Sequence, residues 1–251
     1  MDKSYKILFK FESNPKIFVS EVPSKRMIDS GLEKASKQRW KEIKMEADKT
    51  NKKLWDGDIY RLESFTAQDD NLQINFSVIP FSIRMGMNSL SDYIGKLDEN
   101  YRPKALYTSC FVITSDKKYL FIEKSKNYYS NKKIAFIGGV LSKTENLILS
   151  GEDLFESVKN EIIEEIDVTG EVVEKMDFIA GYESENFNVC LVFKANLNKS
   201  FFEISKQFKE EANSEAAKII GINQSELSQF ARTMSVNELP KFEICGYLEQ
   251  E

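Results

Sequence analysis

The sequence contains no histidine in 251 residues. That absence excludes Ser-His-Asp and Cys-His relays, His-ligated zinc and a histidine general base, so any catalysis must rest on carboxylates, lysine, tyrosine, thiols or a bound metal. Glycine is scarce, with eleven in all, and none forms G-x-G or the Gly-Lys-Ser/Thr end of a phosphate loop. Dinucleotide-binding and P-loop chemistry are left without a motif. Cys110, Cys190 and Cys245 are too widely spaced for a metal knuckle and odd in number, which reads as buried or free thiols in a reducing compartment. No stretch approaches the roughly 20 apolar residues that span a bilayer, and MDKSYKILFK lacks the apolar stretch of a signal peptide. The expectation is a soluble, cytoplasmic protein with no membrane partner. A net charge of -5 is a poor match to nucleic acid, while 41% hydrophobic residues suffice for a buried core.

Periodicity divides the chain in two. Residues 4–11 and 17–22 read as short strands. A long polar segment from Ser24, its expected N-cap, to Asn51 carries Met27, Ile28, Leu32, Ala35, Trp40 and Ile43 at partly helical spacing. Residues 59–65 and 72–79 alternate apolar and polar side chains around TAQDDN, which predicts an antiparallel hairpin with a longer loop, closed at Pro80. A short helix is expected over 88–97, and ENYRPK at 99–104 reads as a linker. Beyond it, strands are expected at 107–114, 119–123, 134–137, 172–182, 186–195 and 219–222, with helices at about 152–166 and 225–232. Strands and helices alternate without the regular repeat of a doubly wound sheet. The expected class is therefore α/β, a mixed sheet covered by helices in a domain at 101–251, after a smaller α+β N-terminal domain at 1–100.

The sharpest local feature lies in residues 151–168. On a helix, Glu161, Glu164 and Glu165 stand at i, i+3 and i+4 and fall within roughly 100° of arc. Phe155, Val158, Ile162 and Ile166 form an adjoining apolar stripe. Like charges at this spacing repel by roughly a few tenths of a kcal/mol, and no Lys or Arg stands at the matching helix positions. Two readings are open: a solvated acidic face, or a site for a hard divalent cation, which takes carboxylate oxygens together with substrate phosphates.

The stretch resembles the Nudix box, G-x5-E-x7-R-E-U-x-E-E-x-G-U with U a bulky aliphatic residue. Ile162 and Val168 match the two U positions, Glu161, Glu164 and Glu165 the metal-associated glutamates, and Gly138-Gly139, directly after IAFI, the opening glycine pair. Asn160 stands at the Arg position, whose guanidinium in this family braces a glutamate of the metal cluster. Asp167 replaces the helix-ending Gly, and TENLILS (144–150) lengthens the box. The resemblance implies a Nudix-like α-β-α sandwich and a hydrolase that cleaves a nucleoside diphosphate linked to another moiety, using Mg²⁺ or Mn²⁺. It assigns Glu161, Glu164 and Glu165 to metal and catalysis and Gly138 and Gly139 to the substrate side. A further loop acid completes such sites; Glu215 is the leading candidate, ahead of Glu183, Glu185, Glu210 and Glu211.

Upstream, Trp40 and residues 51–62 (NKKLWDGDIYRL) look like the "W … N-x-x-L-[FW]-[DN]-G-x-x-[FY]-R-L" stretch of UDP-glucose pyrophosphatase-type Nudix proteins, and residues 91–95 resemble their "YxxFxGT" segment. That group also interrupts the box. The resemblance implies cleavage of a UDP-sugar to UMP and sugar 1-phosphate, with a small-molecule partner and no nucleic acid. Trp40, Trp55 and Tyr60 either stack on a base or fill the core. Arg61 either reaches a phosphate or braces the hairpin. The basic loop from Lys124 to Lys133 either meets a diphosphate or is solvated. Other readings are hydrolysis of ADP-ribose, NADH or dinucleoside polyphosphates, and a catalytically weak domain that senses nucleotide or protein.

Overall fold

Alternating apolar residues sort the strands into two sheets in the computed structural model, which describes residues 5–50, 52, 54–125, 133–143, 147–208 and 215–248. The larger sheet holds β1 (Tyr5–Lys10), β8 (Val173–Ser184), β9 (Val189–Leu197), β5 (Leu106–Ile113), β6 (Lys118–Lys124) and β10 (Ala216–Asn223) in that order, with the short β7 (Ile134–Ala135) on β6. It is mixed, since β5 and β9 run parallel and the other neighbours antiparallel. In the smaller sheet β4 (Asn71–Pro80) lies between β2 (Lys16–Glu21), parallel to it, and β3 (Asp58–Gln68), antiparallel.

Side chains alternate between the faces of a strand, so Cys110 and Val112 of β5 meet one layer and Phe111 and Ile113 the other. On the first face pack α4 (Gly151–Ile166), through Leu154, Val158, Ile162 and Ile166, and the inner side of the small sheet, through Tyr60, Leu62, Leu72, Ile74 and Phe76. On the second, α6 (Leu227–Ala231) and α7 (Leu239–Ile244) surround Phe111, Phe121 and Phe136. Leu32 of α1 (Ser30–Lys49) and Ile83 and Met87 of α2 (Phe81–Asn88) cover the small sheet at Ile59 and Ile79. This is the α-β-α sandwich with a mixed sheet, and the smaller α+β region, expected from the sequence.

β1, however, belongs to the sheet of the second half. Tyr5 lies opposite Ser184 and Phe9 opposite Gly181, and Phe9 shares one buried cluster with Tyr60, Leu106 and Val158. An amphipathic strand buries its apolar side only beside a sheet, and here that sheet is the large one. The first hundred residues are therefore joined to the second half through β1 and the inner face of the small sheet, while Leu32, Ile59, Ile79, Ile83 and Met87 gather in a cluster of their own.

Other boundaries move for local reasons. The first helix starts at Ser30 because Asp29 caps it, its carboxylate accepting the Leu32 N–H at 2.7 Å. The Ser24 hydroxyl instead donates to Glu63. TAQDDN is not a long loop: β3 continues to Gln68, and only Asp69 and Asp70 turn, Asp69 at φ 51° in the left-handed region that Asp tolerates. The helix expected over 88–97 is replaced by α2, which begins directly after Pro80, and by the one-turn α3 (Ser91–Ile94). A Ser200/Glu203 capping box nucleates α5 (Phe201–Gln207) in a stretch whose apolar pattern predicted no element. Among the described residues no helix is long and apolar enough to cross a membrane.

One irregularity positions the site. β5 and β6 pair only where Val112 and Ile113 face Leu120 and Tyr119, and then part. Residues 134–140 fill the split, with Cys110 bridged to Ile137 and Tyr107 to Val140 on one side and Ile122 to Ala135 on the other. Gly138 and Gly139 are thereby held between two strands and against α4.

Candidate active site at the glutamate helix

The ends of α4 are fixed by its own sequence. Ser150 accepts the Asp153 N–H at 3.2 Å while the Asp153 carboxylate accepts the Ser150 N–H at 2.8 Å, a capping box that joins the end of the TENLILS stretch to the helix. Asp167 ends the helix in the left-handed conformation, φ 54° and ψ 53°. It makes the left-handed turn at the position where the box it resembles has glycine. Val158, Ile162 and Ile166 are fully buried against the sheet and set the rotation of α4. Glu161 and Glu165 consequently line the edge that faces the glycine pair, and Glu164 is exposed.

Glu165 is 2% exposed and both its oxygens are engaged. One accepts from the Lys124 Nζ at 2.7 Å and the other from the Gly138 N–H at 2.9 Å. Lys124 closes β6 and also donates to Glu215 at 3.1 Å. Glu215 immediately precedes β10, and its carbonyl accepts the Ser125 N–H at 2.6 Å, so its backbone is fixed beside Lys124. Gly138 is required here by the backbone, and Gly139 leaves a space that the Glu161 carboxylate takes. Gly138 has φ 136°, and a Cβ on it would lie 2.5 Å from the Thr108 carbonyl oxygen; a Cβ on Gly139 would lie 2.5 Å from Glu161 Oε1.

Burial, with the neighbouring Glu165 and Glu215 carboxylates, pushes Glu161 up to about 8. Burial likewise pushes Glu165 up to about 7, against the downward pull of the Lys124 ammonium and the Gly138 N–H. Two acids side by side with such shifts mark a place short of positive charge.

Within α4 no Lys or Arg stands three or four residues from Glu161 or Glu165, as its sequence reads, yet the fold delivers a cation from β6. The available signal was a lysine closing the apolar strand YLFIEK next to a second acid-bearing strand. Asn160 is exposed on α4, and among the described residues Lys124 is a cation on the cluster. Arg61 is elsewhere: it is 1% exposed, paired with a buried Glu63, and donates to the Asn100 and Arg102 carbonyls at 3.4 and 3.3 Å. It braces the hairpin and is not open to a phosphate. Trp40 is buried edge-on against Phe81, and Trp55 leans on the same ring, so these aromatics build the small sheet and its helices. Tyr60 is buried too, its hydroxyl accepting the Ile148 N–H. Glu183 pairs with Arg102 at 3.0 Å, and Glu185 lies in the turn after β8, beside Ser91 and Gly95. Glu210, Glu211, residues 126–132 of the basic loop and residues 144–146 of TENLILS lie outside the described residues.

An all-carboxylate donor set suits Mg²⁺ or Mn²⁺, and the missing Cβ of Gly139 leaves room for the Glu161 carboxylate. The residues fit such an ion. Among the described residues no three acidic or thiol side chains already form a metal cage; the Lys124 ammonium is the cation that stands between Glu165 and Glu215.

No family model matches the chain, and neither does any curated protein. Solved structures do. Tm1382, assigned to the Nudix hydrolases, is 14% identical, with 75% of this chain and 98% of that one covered and a TM-score of 0.44. The MutT protein of Methanosarcina mazei Go1 is 14% identical over 57% of this chain and 92% of its own, with a TM-score of 0.40. DR0079 of Deinococcus radiodurans is 12% identical over 57% and 82%, with a TM-score of 0.39. At these values the functional reading rests on the site itself.

Proposed function

We propose that the chain is a divalent-cation-dependent pyrophosphohydrolase of Nudix type that cleaves a nucleoside diphosphate linked to another moiety, with a UDP-sugar, split to UMP and sugar 1-phosphate, as its substrate. The observation that carries the reading is the meeting of Glu161 and Glu165 of one helix with the Gly138-Gly139 turn, and of Glu165 with Lys124 and Glu215. Glu161 and Glu165 would hold the ion, with Glu215 as the acid from the loop side and Glu164 taking part through water. The ion, when bound, polarises phosphate oxygens and lowers the pKa of water. The chain's own contribution is positional. Val158 and Ile162 lock the helix face, the glycine pair lets the two carboxylates close on the backbone, and a carboxylate of the cluster can accept the proton of an attacking water without an imidazole. Lys124 places an ammonium beside that cluster.

The sugar-nucleotide specificity is supported by the likeness of residues 51–62 and by the lengthened box. Trp40, Tyr60 and Arg61 are buried in the fold, so this support concerns which scaffold the chain has inherited rather than which base it touches. The test is a panel of UDP-glucose, ADP-ribose, NADH and dinucleoside polyphosphates with Mg²⁺, and Glu165→Gln as control. Turnover of UDP-glucose that the control loses is expected. Turnover of ADP-ribose alone would overturn the substrate, and binding without turnover of any compound would leave a nucleotide sensor, the role that Asn160 in place of arginine favours.

A further inference from the structure

Lys124 is committed twice over. Its ammonium lies 2.7 Å from one Glu165 oxygen and 3.1 Å from Glu215, and it is 9% exposed while Glu165 is 2% exposed. A buried carboxylate with no cation is costly, so some positive charge must stay on Glu165 whenever it is ionised. A divalent ion on the same oxygens would sit within a few Å of the ammonium and repel it strongly at the low effective dielectric of a buried site. The two cations therefore compete for the cluster. While it bonds two carboxylates the ammonium keeps one donor and its charge is largely neutralised, so it holds a phosphate weakly until it is released.

We infer that Lys124 is a tethered counter-ion that neutralises Glu165 and Glu215 in the cation-free protein and is exchanged for the divalent ion, so that the ion binds first and releases the ammonium for the diphosphate. This rests on the proposed cation site. It goes beyond it in assigning an order of assembly to the two cations. The tether also keeps the acids from repelling one another before the ion arrives.

Two measurements on the whole chain test it. In the parent protein, labelling of Lys124 with an amine-directed reagent, read by mass spectrometry of its peptide, is expected to rise about tenfold when Mg²⁺ saturates the site; this needs no variant. Separately, Mn²⁺ titrated by calorimetry or electron paramagnetic resonance, without nucleotide, is expected to bind Lys124→Met about tenfold more tightly than the parent, within the usual range of couplings between two sites. Lys124→Arg should bind Mn²⁺ like the parent, and Glu165→Gln should lose it. Unchanged labelling, or unchanged or weaker Mn²⁺ affinity in Lys124→Met, would overturn the exchange while leaving the hydrolase reading intact. No Mn²⁺ binding by either protein would overturn the cation site and the exchange with it.

Discussion

The Tyr60 hydroxyl accepts the backbone N–H of Ile148 at 3.0 Å. Ile148 is buried, whereas Leu147 and Leu149 on either side are exposed, so this bond pins the TENLILS stretch to β3 by one residue. Tyr60→Phe leaves that donor unsatisfied and is expected to cost about 1–3 kcal/mol of stability in a urea titration. Because the same stretch leads into the Ser150 cap of α4, the capping box should remain, and a loss of helix by circular dichroism would contradict this account.

The two glycines separate fold from chemistry. Gly138→Ala meets both a positive φ and a backbone carbonyl and should destabilise by about 1–3 kcal/mol or more. Gly139→Ala meets only the far end of the Glu161 side chain, which can swing away. It should melt near the parent temperature yet lose about 100-fold in turnover through the displaced carboxylate. Comparable effects of both variants on melting would refute the distinction.

Arg61 is a strut of the small sheet. Arg61→Ala strands the buried Glu63 carboxylate, which otherwise accepts from Arg61, Ser24 and the Lys25 N–H. About 3–5 kcal/mol of stability should go with it, as for a buried pair broken on one side. Glu63→Gln combined with Arg61→Met should recover part of that loss. A folded Arg61→Ala protein whose only defect is a raised KM would restore the phosphate-binding role.

Acid groups pushed upward make the cation-free protein sensitive to base. Glu161 and Glu165 hold protons in the folded state up to about 8 and 7, whereas unfolded carboxyls release them near 4.5. Between those limits the folded state binds more protons than the unfolded one, so stability falls as pH rises. In EDTA the melting temperature is expected to decline from pH 5 to pH 8 and then level off, and Glu161→Gln should flatten the decline. A melting temperature that climbs over this range would show the signs to be reversed.

How far the sequence could be read depended on whether a signal was local. The glutamate helix was legible because its cap, its apolar stripe and its acids all lie within one segment, and Asp167 was rightly read as a tolerable replacement for glycine. The ion pair of Lys124 was not, since 41 residues separate it from Glu165 and periodicity names a strand without naming its neighbours. For the same reason the parallel pairing of β2 with β4, and the passage of β1 into the large sheet, had no sequence signature. Arg61 was ambiguous because charge alone carries no burial; that Glu63 lies two residues on, and therefore on the same side of a strand, was the missed hint.

Tyr5 lies opposite Ser184, so β1 is synthesised long before the strand it pairs with. On a ribosome adding about 5–20 residues per second, the wait is on the order of 10–30 s. Throughout it Phe9 and Phe11, which end up packed on Phe178, have no sheet to enter. The edge strand of the finished sheet thus spends its first seconds with two aromatic rings and no partner for them.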